Sequence, residues 1–305
     1  MMKLLKIYLP VSLILLLISS CRKEDALGDV SNIPGLGGDT WAQGPIDKWI
    51  SDSLTVPYNI EVKYKWDGFA LEQLDKTVVP IKEPIVIPLL GSIKKVWINP
   101  YTAELGSGFM KTYIPKFLVL AGSAAYNPDG TALAGQAGGG RQIFLLLLNY
   151  FRNKTMPGYT LSDTVVQKET YKTVHHEFAH IFDQTKQRPF DFDKINQGLY
   201  SSDWINIRSD AEARSDGFIT PYASSVAAED FAEMVSTMLV EGKKGFDRIV
   251  NGITGATSKR GTTAAQAQTR LRQKETVIVD YFKKNWNIDF YSLQARTRTA
   301  IEQEF

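Results

Sequence analysis

A single cysteine, Cys21, and only three histidines stand among 305 residues. With no second thiol the chain cannot close an internal disulfide. Because Cys21 lies at the end of a targeting segment, the body of the protein has neither a thiol nucleophile nor a thiolate metal ligand. Charge of one sign is also lacking: 35 Lys and Arg against 33 Asp and Glu leave a formal net charge of +2. There is no basic run, aromatic platform motif or zinc-finger spacing, which excludes a nucleic-acid partner. Gly138-Gly139-Gly140 is not followed by the Gly-Lys-Ser/Thr of a phosphate loop, and the segment after it reads as a strand and not a helix, so the phosphate-loop reading of this run is rejected.

What is present begins with a targeting segment. Lys3 and Lys6 form a basic start, and Ile7 to Ile18 is an apolar run too short to span a bilayer comfortably. It ends in Ile18-Ser19-Ser20-Cys21, which resembles the lipobox of bacterial lipoproteins. Cleavage after residue 20 would leave Cys21 first and lipid-bearing. Arg22-Lys23-Glu24-Asp25 resembles the surface-export signal of some Gram-negative outer-membrane lipoproteins. Residues 21–45 then read as a lipidated cysteine and a flexible Gly-, Asp-, Ser- and Pro-rich tether. Residues 46–305 remain for a folded domain, with aromatics enough for a sizeable core.

Within that domain, Tyr58 to Trp66 alternates strictly and predicts a half-buried strand. Pro80, Pro84 and Pro88 predict an extended, broken path over Val78 to Leu90. Lys94 to Asn99 reads as a strand or a helix start. Thr112 to Ala121 and Gln142 to Phe151 read as strands, the second apolar enough to be covered on both faces. Residues 122–140 read as a loop, whose glycines would either leave room for a substrate backbone or make a mobile hairpin. Residues 163–185 predict a helix, 186–216 an irregular region near the cleft, and 264–286 and 290–303 two more helices with solvated charged faces.

All three histidines fall in Val174-His175-His176-Glu177-Phe178-Ala179-His180. Positions i and i+4 of a helix share a face, so His176 and His180 can reach one ion, and Glu177 can accept a proton from water there. His175 is turned by roughly 100° on the helix and reads as a structural or surface residue. A catalytic zinc takes three protein ligands and keeps one position open. The metzincin continuation fails, with Asp183 and Lys186 in the glycine and third-histidine places, and Asp183 is too close in sequence to close a tetrahedron. The better source is Gly217 to Glu233. Ser224 or Ser225 would cap a helix running to about Glu241 and stopped by Gly242, with 243–263 a loop. Glu229 and Glu233, one helical turn apart, allow one carboxylate to bind metal while the other orients a ligating histidine. The rival explanation is that acids near a helix start complement its dipole, and this accounts for Glu229 and Asp230 better than for Glu233.

These paired stretches resemble gluzincin-type zinc metallopeptidase lipoproteins associated with TonB-dependent nutrient import. In these, a His-Glu-Phe-Ala-His helix is followed by a Gly-Phe-x-x-x-Tyr-Ala-Ser-x-x-x-x-Glu-Asp-Phe-Ala-Glu segment, matched here by Gly217 to Glu233. A more distant likeness is to the protease domain of anthrax lethal factor, where a tyrosine precedes the zinc-binding glutamate by the spacing of Tyr222 and Glu229. The resemblance implies an α+β zincin-like domain with a small mixed sheet, an active-site helix and a helical C-terminal part from about residue 226. It implies Zn2+ held by His176, His180 and Glu229, Glu177 as general base, Tyr222 as an aid to catalysis and Glu233 behind the ligands. It also implies peptide or protein substrates, an outer-membrane and cell-surface location through the lipid on Cys21, and import machinery as a partner. Two alternatives stand beside it: a non-catalytic zinc-containing surface binding lipoprotein, and hydrolysis of another amide or ester.

Overall fold

The computed structural model describes residues 41–65, 77–127, 130, 132–133, 135–138, 142–207 and 209–305. The targeting segment, Cys21 and nearly all of the tether lie outside the described residues, as does Trp66 at the end of the first expected strand. Residues Gln43–Phe305 form one compact unit.

Helix α1, Pro45–Ile50, widens into a π turn, Ser51–Thr55, and a last helical turn, Val56–Tyr58. Asn59 stops it in the left-handed conformation (φ 59°). The helix therefore takes the first residues of the expected 58–66 strand, and β1 spans Glu61–Lys63. The expected alternation is kept, with Ile60, Val62 and Tyr64 buried.

The proline-rich stretch is a correction. Glu83–Ile93 is helix α2, with Pro84 in its first turn and Pro88 inside it. Pro84 sits where its missing N–H has no helical partner to lose. Pro88 forfeits one helical hydrogen bond, but its carbonyl accepts from Asn153 Nδ2 at 3.2 Å. Val86, Leu89, Leu90 and Ile93 are essentially fully buried around it, so packing outweighs the proline's preference. Lys94–Ile98 continues as a π turn into α3, Asn99–Leu105, and Gly106 (φ 83°) turns the chain into α4, Ser107–Tyr113. The strand expected from Thr112 is therefore only β2, Phe117–Leu120.

The expected loop at 122–140 contains short strands: β3, Ala125–Tyr126, β4, Ala132–Leu133, and β5, Gly135–Gly138. The next strand, β6, is Gln142–Leu145 and ends before a short turn at Leu148–Tyr150, earlier than expected. The main sheet has the order β1-β2-β6-β5. β1, β2 and β6 are parallel, with Val62, Leu118 and Ile143 in register, and β5 pairs antiparallel to β6 on the edge. Leu118, Leu120, Ile143 and Leu145 face the large core, while Val119, Phe144 and Leu146 face a second small cluster with Val78, Ala121 and Ala125. β6 is thus covered on both faces, as its apolar run implies.

A turn at Leu161–Asp163, closed by reciprocal Thr160 and Asp163 hydrogen bonds, feeds the long helix α5, Thr164–Thr185. α5 lies against β5 and β6 and buries Val174, Phe178 and Ile181. Phe178 meets Trp97 and Tyr101 edge-on at 5.3 and 5.1 Å. The region 186–216 is less irregular than expected, with helices α6, Phe190–Ile195, and α7, Asp210–Arg214, and a turn at Ser202–Asn206.

α8 runs Ala227–Asn251 and packs on α5. Its start is not capped by a serine: Ser224 and Ser225 donate to the Pro221 and Tyr222 carbonyls inside a tight turn, Tyr222–Ser224, and Val226 holds the capping position. Gly242 (φ 68°) breaks the helix as expected, but the helix resumes beyond it, so 243–251 is not a loop. α9, Ala264–Trp286, and α10, Phe290–Glu304, complete the chain. Their charged side chains are not all solvated: Lys274, Glu275 and Glu304 are buried. The architecture is α+β, with a small, mostly parallel sheet beside a predominantly helical body.

Candidate metal centre

Two helices that are distant in sequence build the site. α5 supplies His176 and His180 from one face, their rings edge-on with centroids 4.7 Å apart. α8 supplies Glu229 from its first turn. His176 Nε2, His180 Nε2 and Glu229 Oε2 form an equilateral triangle, each pair separated by 3.1 Å. Among the described residues this is the group of histidine and carboxylate ligands whose donor atoms converge.

Glu233, one turn along α8, reaches His176 from the other side, with Oε1 2.8 Å from Nδ1. Its second oxygen accepts from Lys172 Nζ at 2.8 Å and from Thr220 Oγ1 at 2.6 Å. Lys172 precedes His176 by one helical turn, and Thr220 belongs to the Gly217–Tyr222 stretch. Neither is evident from the motif, although the i, i+4 spacing of Lys172 and His176 would have pointed to the first.

Electrostatics at the site follow from this packing. Burial alone would lower the His176 imidazole, but its hydrogen bonds to Glu229 and Glu233 and the charges of Glu233 and Glu177 outweigh burial and raise it to about 10. Burial would raise the Glu229 carboxyl, and the two histidines instead lower it to about 2. Glu233 is likewise held below the usual carboxylate range: burial opposes this, and Lys172 and His176 overcome it.

Glu177 is buried between the ligands in sequence, and its charge acts on both His176 and Tyr222. Tyr222 is 38% exposed, its ring 6.0 Å from that of His176 and 5.0 Å from that of Trp204. Burial, then the Glu229 and Glu177 carboxylates, push its hydroxyl above the ordinary tyrosine range, so it remains a proton donor.

Other residues weighed from the sequence lie elsewhere. His175 is fully buried with its ring 6.0 Å from Tyr101, and burial pushes it down to about 3; of the two places expected for it, the surface is excluded. Asp183 pairs with Arg188. Three of the four acids of the 203–216 region are engaged away from the triangle: Asp210 with Arg214, Glu212 with Lys259 and Asp216 with Ser258.

The donor set suits zinc. Metal–nitrogen and metal–oxygen bonds of about 2.0–2.2 Å put tetrahedral ligand atoms roughly 3.3–3.5 Å apart, close to the observed 3.1 Å edges. Acceptor oxygens of Glu229 and Glu233 flank the two nitrogens of His176, which is why the metal-free imidazole holds its second proton firmly; a cation bound at the triangle would take the place of the proton on Nε2.

Comparison with known proteins agrees with the donor set. A family described as "Putative zinc-binding metallo-peptidase" matches residues 39–291. A crystal structure of a "putative zinc-binding metallo-peptidase" from Bacteroides caccae superposes with a TM-score of 0.64 at 27% identity, covering 87% of this chain and 96% of that one. No curated protein matches the chain. With more than half its length matched and the two-histidine, one-glutamate triangle in place, this chain belongs to that family of zinc-binding metallopeptidases.

Proposed function

We propose that the protein is a zinc-dependent peptidase that hydrolyses peptide bonds, tethered to the outer membrane through lipid on Cys21. The observation that carries the reading is the convergence of His176, His180 and Glu229, with Glu177 and Tyr222 beside them. His176, His180 and Glu229 would hold a zinc ion, which would supply Lewis acidity and lower the pKa of a nearby water to about 7.

The protein's own groups do the rest. Glu233 orients the His176 ring through Nδ1, so that Nε2 presents its lone pair to the centre, and Lys172 and Thr220 hold Glu233 in place. Glu177 accepts a proton from the attacking water and returns it to the departing amine. The Tyr222 hydroxyl, kept protonated, donates to the carbonyl oxygen of the scissile bond as charge develops on it. The edge strand β5 lies against α5, and backbone pairing of an extended peptide along it is part of this reading. An ion with only a structural task would leave Glu177 and Tyr222 without one, and this favours an enzyme over a binding module.

The lipobox-like Ile18-Ser19-Ser20-Cys21 and the acidic residues after it support a lipoprotein at the cell surface, where nutrient-import machinery is the proposed neighbour. The test of the site is the metal content of residues 22–305 beside the Glu229→Ala variant. About one zinc per chain in the parent, lost or greatly weakened in the variant, is expected. Full zinc retention in the variant would move the third ligand elsewhere and sink the proposed site.

A further inference from the structure

One side chain of the C-terminal helices holds the segment on which half of the metal centre is mounted. Lys274 on α9 and Asp230 on α8 are both fully buried, with Nζ 2.5 Å from Oδ2. The same ammonium donates to the Gly217 carbonyl at 2.8 Å and stands 4.6 Å from the Phe218 ring centroid. Tyr200 gives its hydroxyl to Asp230 Oδ2 at 3.0 Å. Gly217 itself has φ +82°, and a Cβ there would meet the Arg270 side chain of α9 at 2.9 Å. The loop and the helix are therefore in close apposition at this point.

A buried ion pair is a poor way to gain stability, because apolar residues of similar volume often serve as well or better. Its placement is more informative. Gly217 opens the stretch that carries Thr220 and Tyr222, and Asp230 directly follows Glu229. The ammonium thus ties together the two ends of the segment that delivers Tyr222 and Glu229 to the histidines of α5.

We propose that Lys274 is a positioning residue of the metal centre: by bridging Asp230 and the Gly217 carbonyl, it fixes residues 217–230 so that Glu229 and Tyr222 meet His176 and His180 without rearrangement. The proposal rests on the zinc-peptidase reading for its purpose, but the fixing itself can be measured without metal.

The experiment compares the parent with the double variant Lys274→Met, Asp230→Asn, which removes both charges together. In zinc-free protein, amides of 217–233 are expected to exchange with deuterium about tenfold faster or more, while those of α5 keep the parental rate. Zinc affinity, measured by competition with a chelator, is expected to fall roughly 10- to 100-fold. Unchanged exchange over 217–233, or zinc affinity within about twofold of the parent, overturns the proposal. Leu293→Ala, a buried truncation on α10, serves as the control. If it weakens zinc binding as much as the double variant, the effect is one of general stability and the proposal falls. Should the double variant fail to fold, Tyr200→Phe takes its place, with severalfold faster exchange in the same segment expected and none overturning the idea. A parent that takes up no zinc would sink the peptidase reading, while the zinc-free exchange would still decide the fixing.

Discussion

Glu177 and His175 flank His176 in the chain and illustrate how about 200° of rotation around a helix separates two fates. Both are buried, yet Glu177 acts electrostatically on the site, whereas His175 lies against Tyr101 in the core. Glu177→Gln preserves shape and removes the base, so zinc content should stay near parental while peptide hydrolysis falls on the order of 100- to 10,000-fold. Turnover of a peptide mixture by the variant at parental rates would remove Glu177 from the role of base. His175 makes a prediction about pH. Its folded value is pushed down to about 3 from the ordinary 6.5 by burial, so the unfolded chain binds the extra proton between those values. Stability from this residue is complete above pH 6.5 and is lost as pH falls toward 3. Between pH 6.5 and 5 the loss is about 2 kcal/mol. Urea unfolding of His175→Phe should lack that part of the acid sensitivity, and curves parallel to the parent's would contradict it. At this scale much was legible: His176, Glu177 and His180 follow from spacing, and the placing of Glu229 and Glu233 on one helix face follows from theirs. Thr220 was not, because a threonine in a loop carries no pattern of its own until the carboxylate it meets is placed, and for Lys172 the only signal is its position one turn before His176.

Among the elements, those with a strong period were readable and those decided by packing were not. The 3.6-residue repeat of α5, α9 and α10 gave boundaries close to those observed. α2 is hidden from the sequence because Pro84 and Pro88 outweigh the apolar spacing in any local account, while full burial of Val86, Leu89 and Leu90 decides the outcome. The strand at 112–121 failed in the opposite direction, since its first residues complete α4, whose Met110 is buried. α8 combines both cases. Gly242 was rightly read as a break, but the helix resumes because the segment beyond it has its own anchors: Phe246 in the core and Asp247 paired with Arg272 at 2.6 Å. Gly242→Ala places a Cβ 2.7 Å from Arg298 Cγ and keeps a left-handed backbone that alanine disfavours. A loss of about 1–3 kcal/mol in unfolding free energy is expected. Zinc affinity should be kept, because Glu229 and Glu233 precede the kink. Undiminished stability would mean that the backbone at 242 can relax.

For the molecule as a whole, residues Gln43–Phe305 make a compact unit by themselves. A chain beginning at Gln43 should melt at the parental temperature and bind zinc one to one. A clear drop in melting temperature would assign residues before 43 a part in the core. The C-terminal helices, by contrast, are integral. Glu304 on α10 pairs with Lys95 at 2.7 Å and accepts from Ser92, so the end of the chain is fastened to the π turn and to α2.

The triangle of ligands joins positions 53 residues apart, His176 and Glu229. An ion shared between them closes a loop of that length, in a body that has no cysteine pair to close one covalently. By the loop-closure entropy used for disulfides, such a link withdraws about 4 kcal/mol of freedom from the unfolded chain. Metal uptake would then be a cross-linking event as well as the arming of a site, and zinc would make the folded body harder to unfold.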